Sequence, residues 1–133
     1  MTLDAKVGLT LFLVLTIATL VMVVITGLKA RVPLHIALVV TALVFLGCAI
    51  YFAVQVGHSY DLKSAGVITP IHLTVAKIAT AAYLLPLVSG LLTLRDRKNK
   101  PVHFKLAVVA LILTALAAIT GSMMLAMARP LAP

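Results

Sequence analysis

The sequence predicts an all-α fold: an integral membrane, up-down four-helix bundle with both termini outside. Three observations predict it. Of 133 residues, 63% are hydrophobic and only 11% are charged, where a soluble domain carries about 25% charged residues. The apolar residues fall into four runs, 7–28, 34–56, 71–94 and 106–128, each near the roughly 20 residues that a helix needs to cross a bilayer. Lipid offers no partner to an open backbone group, so each run must be helical. A single transmembrane domain, 1–133, absorbs nearly all of this apolar material. A disulfide scaffold, a disordered tail and an ordinary cytosolic enzyme are excluded.

The first run follows a leader, 1–6, that is nearly neutral because Asp4 offsets Lys6. The run is longer than the roughly 7–15 apolar residues of a signal peptide, and no small-residue cleavage site follows it. It reads as a retained helix. The second run opens with Pro33-Leu34-His35 and the fourth with Pro101-Val102-His103, an echo that suggests two related hairpins. Proline also suits a helix start on its own account. Ile25-Thr26-Gly27 and Ile119-Thr120-Gly121 repeat as well, but on non-equivalent helices, so they carry no weight here. Pro86 and Gly90 lie inside the third run and predict a kink and a close neighbour. The linkers after the first and third runs are short, which makes those pairs antiparallel neighbours.

Orientation follows the basic residues. Lys29, Arg31, Arg95, Arg97, Lys98, Lys100 and Lys105 fall on one side of the membrane, and Lys6, Lys63 and Arg129 on the other. The richer side is cytoplasmic. Both termini and the linker between the second and third runs therefore face outward, as expected for a multi-pass protein of a bacterial inner membrane. The formal net charge of +8 is explained by this topology, and no nucleic acid partner is expected.

The chemistry-bearing residues are few. Asp4, Asp61 and Asp96 are the three acids, and none lies within an apolar run, so neither a carboxylate-pair hydrolase nor a carboxylate-lined proton path is available. Cys48 is the one cysteine and reads as a small buried side chain. Met123, Met124 and Met127 read as filling. Phosphate loops, nucleophile motifs and Cys-x-x-Cys pairs are missing from the sequence, and a stand-alone enzyme is not the leading expectation.

The four histidines carry most of the information. His35 and His58 are 23 residues apart, about 34 Å along a helix, so the set divides into an inner pair, His35 and His103, and an outer pair, His58 and His72. Imidazole suits haem iron, copper and zinc. His35 and His103 enter at matching depth on the second and fourth helices, which a simple bundle places diagonally. The expectation is a b-type haem between them. Ala107, Ala110, Thr114, Ala117 and Gly121 follow His103 at helical spacing and would leave space for a porphyrin, although close helix packing in lipid uses the same stripe. Lys29, Arg31, Arg95 and Lys105 could pair with propionates, although topology alone places positive charge there. His58 and His72 could hold a second haem, a copper ion or nothing. Lys77, about two turns into the third run, is either a snorkelling lysine or a partner for an anionic group such as a propionate or a quinone oxygen.

In this order the residues resemble two families. A basic loop, His35, His58, His72, Pro86-Leu87, a second basic loop, His103 and Thr120-Gly121 are similar to the small bacterial four-helix membrane proteins with four histidines, including the CtaM-like cytochrome oxidase assembly factors. The same order is also similar to the cytochrome b561-like core. The resemblance covers the second to fourth helices. It implies either maturation of a haem–copper oxidase or electron transfer through b-type haem, with a quinone or a larger respiratory membrane complex as partner. The first helix has no histidine, so one haem, or a metal-handling role, is implied rather than a two-haem wire. A cofactor-free accessory or assembly subunit is the competing expectation. A small transporter that works as an oligomer is a third.

Overall fold

The computed structural model describes residues 4–131, and residues 1–3 of the leader lie outside them. The chain is all-helical. Four stretches, Ala5–Leu28, Val32–Gly57, Ile68–Arg95 and Arg97–Met127, are long and apolar enough to cross a membrane. The expected runs 7–28, 34–56 and 71–94 lie within them; the run 106–128 ends one residue past the fourth stretch, which starts several residues earlier than expected. This is a multi-pass membrane protein. The helices divide into two compact units with the boundary between Tyr60 and Asp61.

The first unit is a hairpin of α1 (Ala5–Leu28) and α2 (Val32–Gly57). Asp4 caps α1 by accepting a hydrogen bond from the Lys6 N–H at 2.8 Å, as short oxygen-bearing side chains do at helix starts. The helix stops in a Schellman turn. The Ala30 N–H donates to the Gly27 carbonyl at 3.2 Å and the Arg31 N–H to the Thr26 carbonyl at 3.0 Å. Ala30 sits at φ 53, the left-handed region that glycine usually fills at this position. Pro33 lies in the first turn of α2, where its missing N–H costs nothing.

Small residues bring these helices together. The buried positions are Gly8, Thr16, Thr19 and Thr26 on α1 and Ala42, Ala49 and Val56 on α2. Each buried threonine donates its hydroxyl back to a carbonyl of its own helix: Thr16 to Phe12 at 2.6 Å, Thr19 to Leu15 at 2.7 Å, Thr26 to Met22 at 2.8 Å. The hydroxyl proton is thus satisfied in place, and the threonine behaves as a small packing residue. Phe12 stacks on Phe52 at 5.7 Å between centroids, and Tyr51 meets Phe52 edge-on at 5.3 Å. The face of Phe52 rests on Gly8, where an added Cβ would lie 2.6 Å from the ring.

The second unit holds α3 (Ile68–Ala82), α4 (Leu84–Arg95) and α5 (Lys100–Met127). Together α3 and α4 form one span that is interrupted at Tyr83. The cause is Pro86. It has no N–H for the Ala82 carbonyl four residues back, and its ring crowds that carbonyl. The next bond, from the Leu87 N–H to the Tyr83 carbonyl, stretches to 3.3 Å. The span is interrupted one turn ahead of the proline, where Tyr83 keeps helical φ and ψ. The long helix α5 packs against both halves.

All three acids do the same local work. Asp4, Asp61 and Asp96 each accept a hydrogen bond from the N–H of the lysine two residues on: Lys6 at 2.8 Å, Lys63 at 3.1 Å and Lys98 at 3.0 Å. These are Asp-x-Lys turn caps. They lie at helix starts and linkers, which leaves every span without a carboxylate.

Candidate functional site

Three of the four histidines are built into the same arrangement. His35 is the fourth residue of α2, His103 the fourth of α5 and His72 the fifth of α3. Each stands two residues after a proline: Pro33-Leu34-His35, Pro70-Ile71-His72 and Pro101-Val102-His103. The proline sets the start of the helix, and the following turn aims the imidazole at an antiparallel neighbour. Each neighbour presents a hydroxyl residue followed by glycine.

In the first unit the partner is Thr26-Gly27, at the end of α1. The His35 Nδ1 lies 2.9 Å from the Val23 carbonyl and 3.4 Å from the Thr26 hydroxyl oxygen. A carbonyl only accepts, so His35 donates from Nδ1. In the second unit Ser89-Gly90 on α4 receives His103, whose Nδ1 is 3.1 Å from the Ser89 hydroxyl oxygen. At the other end of the same unit, Thr120-Gly121 on α5 receives His72, whose Nδ1 is 3.1 Å from the Thr120 hydroxyl oxygen. Thr120 spends its own proton on the Leu116 carbonyl at 2.7 Å. Its oxygen is therefore the acceptor and His72 Nδ1 the donor. The Ala117 backbone is a further partner of His72. Ala117 stands three residues before Thr120, as Val23 stands three before Thr26.

The glycine makes this contact possible. A Cβ on Gly27 would lie 3.1 Å from the His35 Cε1, one on Gly90 3.2 Å from the His103 Cε1, and one on Gly121 2.8 Å from the His72 Cε1. The same ring edge, Nδ1 and Cε1, lies on the helix backbone in all three places. The hydroxyl residues are buried or half-buried and the rings half-buried. Within the second unit the register is symmetric: His72 meets Gly121 while His103 meets Gly90, and each histidine precedes the glycine of its own span by 18 residues. In the first unit His35 and Gly27 fill the turn end. At the open end Gly8 meets Phe52, an aromatic ring where the second unit has a histidine.

These contacts change the expected grouping. His72 is built like His35 and His103, not like His58. His58 follows the last turn of α2 and is exposed. No cluster of three or more histidine, cysteine or acidic side chains suited to a metal ion occurs among the described residues. Lys77 is exposed on α3, about 14 Å along the helix from its start. Cys48 is half-buried with a free thiol. The small-residue stripe on α5, read from the sequence as room for a porphyrin, is used inside its own unit. Ala110 is buried, Thr114 is 2.8 Å from the Tyr83 hydroxyl, and Gly121 carries the His72 ring. Close packing, the other use of such a stripe, accounts for these three positions.

The Tyr83 hydroxyl spans the point where the third span breaks. A Tyr83→Phe variant is expected to lose about 0.6 kcal/mol, the mean for a hydrogen bond between membrane helices, in a detergent unfolding titration. An unchanged midpoint would show that this bond does not tie α5 to the break. No family model, curated protein or solved structure matches the chain.

Proposed function

We propose that this is a membrane-embedded b-type haem protein, with His35 and His103 as the axial ligands, serving electron transfer or the support of a respiratory oxidase. One observation supports it above the others. The two histidines stand at the same step of α2 and α5, each at the turn end of its unit and each anchored through Nδ1. Histidines that bind metal through Nε2 almost always hold the other nitrogen on a hydrogen-bond partner, which fixes the ring. When bound, the haem supplies a one-electron couple. The chain supplies two oriented imidazoles and an apolar surround without carboxylates. The basic residues Lys29, Arg31, Arg95 and Lys105 supply positive charge close in sequence to the two ligands. A quinone or a larger respiratory membrane complex is the partner class that such a protein serves.

The test is the dithionite-reduced minus oxidised visible spectrum of protein purified in mild detergent from cells supplied with haem. A sharp reduced α band in wild type is expected. A colourless wild type would overturn the assignment.

A second reading is a cofactor-free accessory or assembly subunit of a larger membrane complex. A specific observation favours it: three imidazoles and the α5 stripe already have partners within their own units, as residues that only clamp helices would. A large, unpigmented complex that survives mild detergent is its expected result.

In either reading the four spans cross a bacterial inner membrane in alternating directions, with both termini outside. In a Cys48→Ser background, a Ser59→Cys variant is expected to react with an impermeant maleimide on intact spheroplasts. An Asn99→Cys variant is expected to react only after lysis. The opposite pattern would reverse the topology.

A further inference from the structure

We infer that Thr120 is a positioning residue that holds His72 in the Nδ1–H tautomer, as the Val23 carbonyl holds His35, so that His72 is a further imidazole set to ligate a metal through Nε2. This rests on the haem reading only for what His35 ligates; the placement of His72 stands on its own contacts.

The inference follows from proton bookkeeping. An imidazole in water favours the Nε2–H form. In that form Nδ1 is the nitrogen with the lone pair. The protein opposes this at Nδ1. His35 faces the Val23 carbonyl at 2.9 Å, which has no proton to give. His72 faces a Thr120 hydroxyl whose proton is engaged at 2.7 Å with the Leu116 carbonyl. At His103 the contact has the same shape, but the Ser89 hydroxyl, 3.4 Å from the Pro86 carbonyl, keeps a proton that it can give to Nδ1. The sites at His35 and His72 therefore draw the ring proton to Nδ1 and put the lone pair on Nε2, one of the two nitrogens through which a neutral imidazole binds metal. The glycine beside each hydroxyl fixes the ring edge, since a Cβ there would meet Cε1 at 2.8–3.2 Å. Packing alone would need the ring but not the tautomer. The recurrence at His72, away from the expected pair, marks this as one device used at both His35 and His72.

The test is the side-chain nitrogen NMR spectrum of 15N-histidine-labelled protein in lipid, reduced so that any low-spin iron is diamagnetic. His72 is expected mainly as Nδ1–H, and exposed His58 mainly as Nε2–H. Thr120→Val and Gly121→Ala are each expected to move His72 to mainly Nε2–H while the His35 and His103 signals stay in place and report an intact fold. Thr120→Ser is expected to restore wild-type behaviour. A wild-type His72 that is mainly Nε2–H would overturn the inference without any variant. So would an Nδ1–H signal that survives both Thr120→Val and Gly121→Ala. A colourless protein with His72 as Nδ1–H would sink the haem assignment and leave this one standing. A pigmented protein with His72 as Nε2–H would do the reverse.

Discussion

If the proposed haem assignment holds, a His103→Ala variant is expected to reach the membrane at wild-type level and to lose the haem α band completely. The same holds for His35→Ala. A bis-histidine site cannot keep low-spin iron with one imidazole removed, because the axial ligand field sets both the spectrum and the retention of the group. The folding cost is smaller. His103 sits in the first turn of α5 and is half-buried, so its removal leaves α3, α4 and the rest of α5 in contact. The ring does leave the Ser89 hydroxyl, buried at 5% exposure, with the Pro86 carbonyl at 3.4 Å as its remaining partner. A Ser89→Ala change in the same chain should therefore recover part of any lost stability without recovering pigment. The measurement is the reduced-minus-oxidised spectrum per mole of membrane-inserted protein. Full pigment in His103→Ala would remove that residue from the ligand set.

The largest expected effect on stability lies at the open end of the first unit. Gly8→Ala should destabilise the α1–α2 hairpin by about 1–3 kcal/mol, the usual range for overpacking. The new Cβ would stand 2.6 Å from two carbons of the Phe52 ring. That ring cannot step aside freely, since Phe12 stacks on it at 5.7 Å and Tyr51 closes its edge at 5.3 Å. The check is a detergent unfolding titration followed by helical circular dichroism. Adding Phe52→Leu should relieve the clash, so the double variant should lose less than the sum of the single changes. Gly47→Ala is the control, because a Cβ there meets nothing within 4 Å and alanine favours helix over glycine. Equal losses at positions 8 and 47 would mean that glycine acts through helix propensity and not through contact with Phe52.

Much of the candidate site is legible in the sequence. Histidine in a Pro-x-His opening occurs three times, but the copy at Pro70-Ile71-His72 lies on the membrane face of His58, and the sequence alone pairs His72 with that residue. The hydroxyl–glycine pairs also occur three times. Two of them, Thr26-Gly27 and Thr120-Gly121, lie on non-equivalent helices, and the third, Ser89-Gly90, has serine in place of threonine. Antiparallel packing explains why the motif does not follow the equivalence of helices. A pair late in one helix meets the start of its neighbour, so both helices of a hairpin can carry the same two motifs in reversed roles. The three Asp-x-Lys caps were equally visible. Their hydrogen bonds are local, set by two residues of backbone, and needed no tertiary contact to be foreseen.

The sequence by itself determined the membrane character, the four spans, the broken third helix and the lack of carboxylate chemistry. Each depends on composition, run length or a single proline, and those act within one helix. Only the tertiary structure decided which histidine is which. His35, His72 and His103 look like polar residues at helix ends until a neighbouring helix supplies a hydroxyl to Nδ1 and a missing Cβ to the ring. His58 has the same side chain and follows a helix just as apolar, but it is exposed on the surface. The difference lies in the register between antiparallel helices, which is set by the fit of small residues along the whole interface and is written in no one segment of the chain.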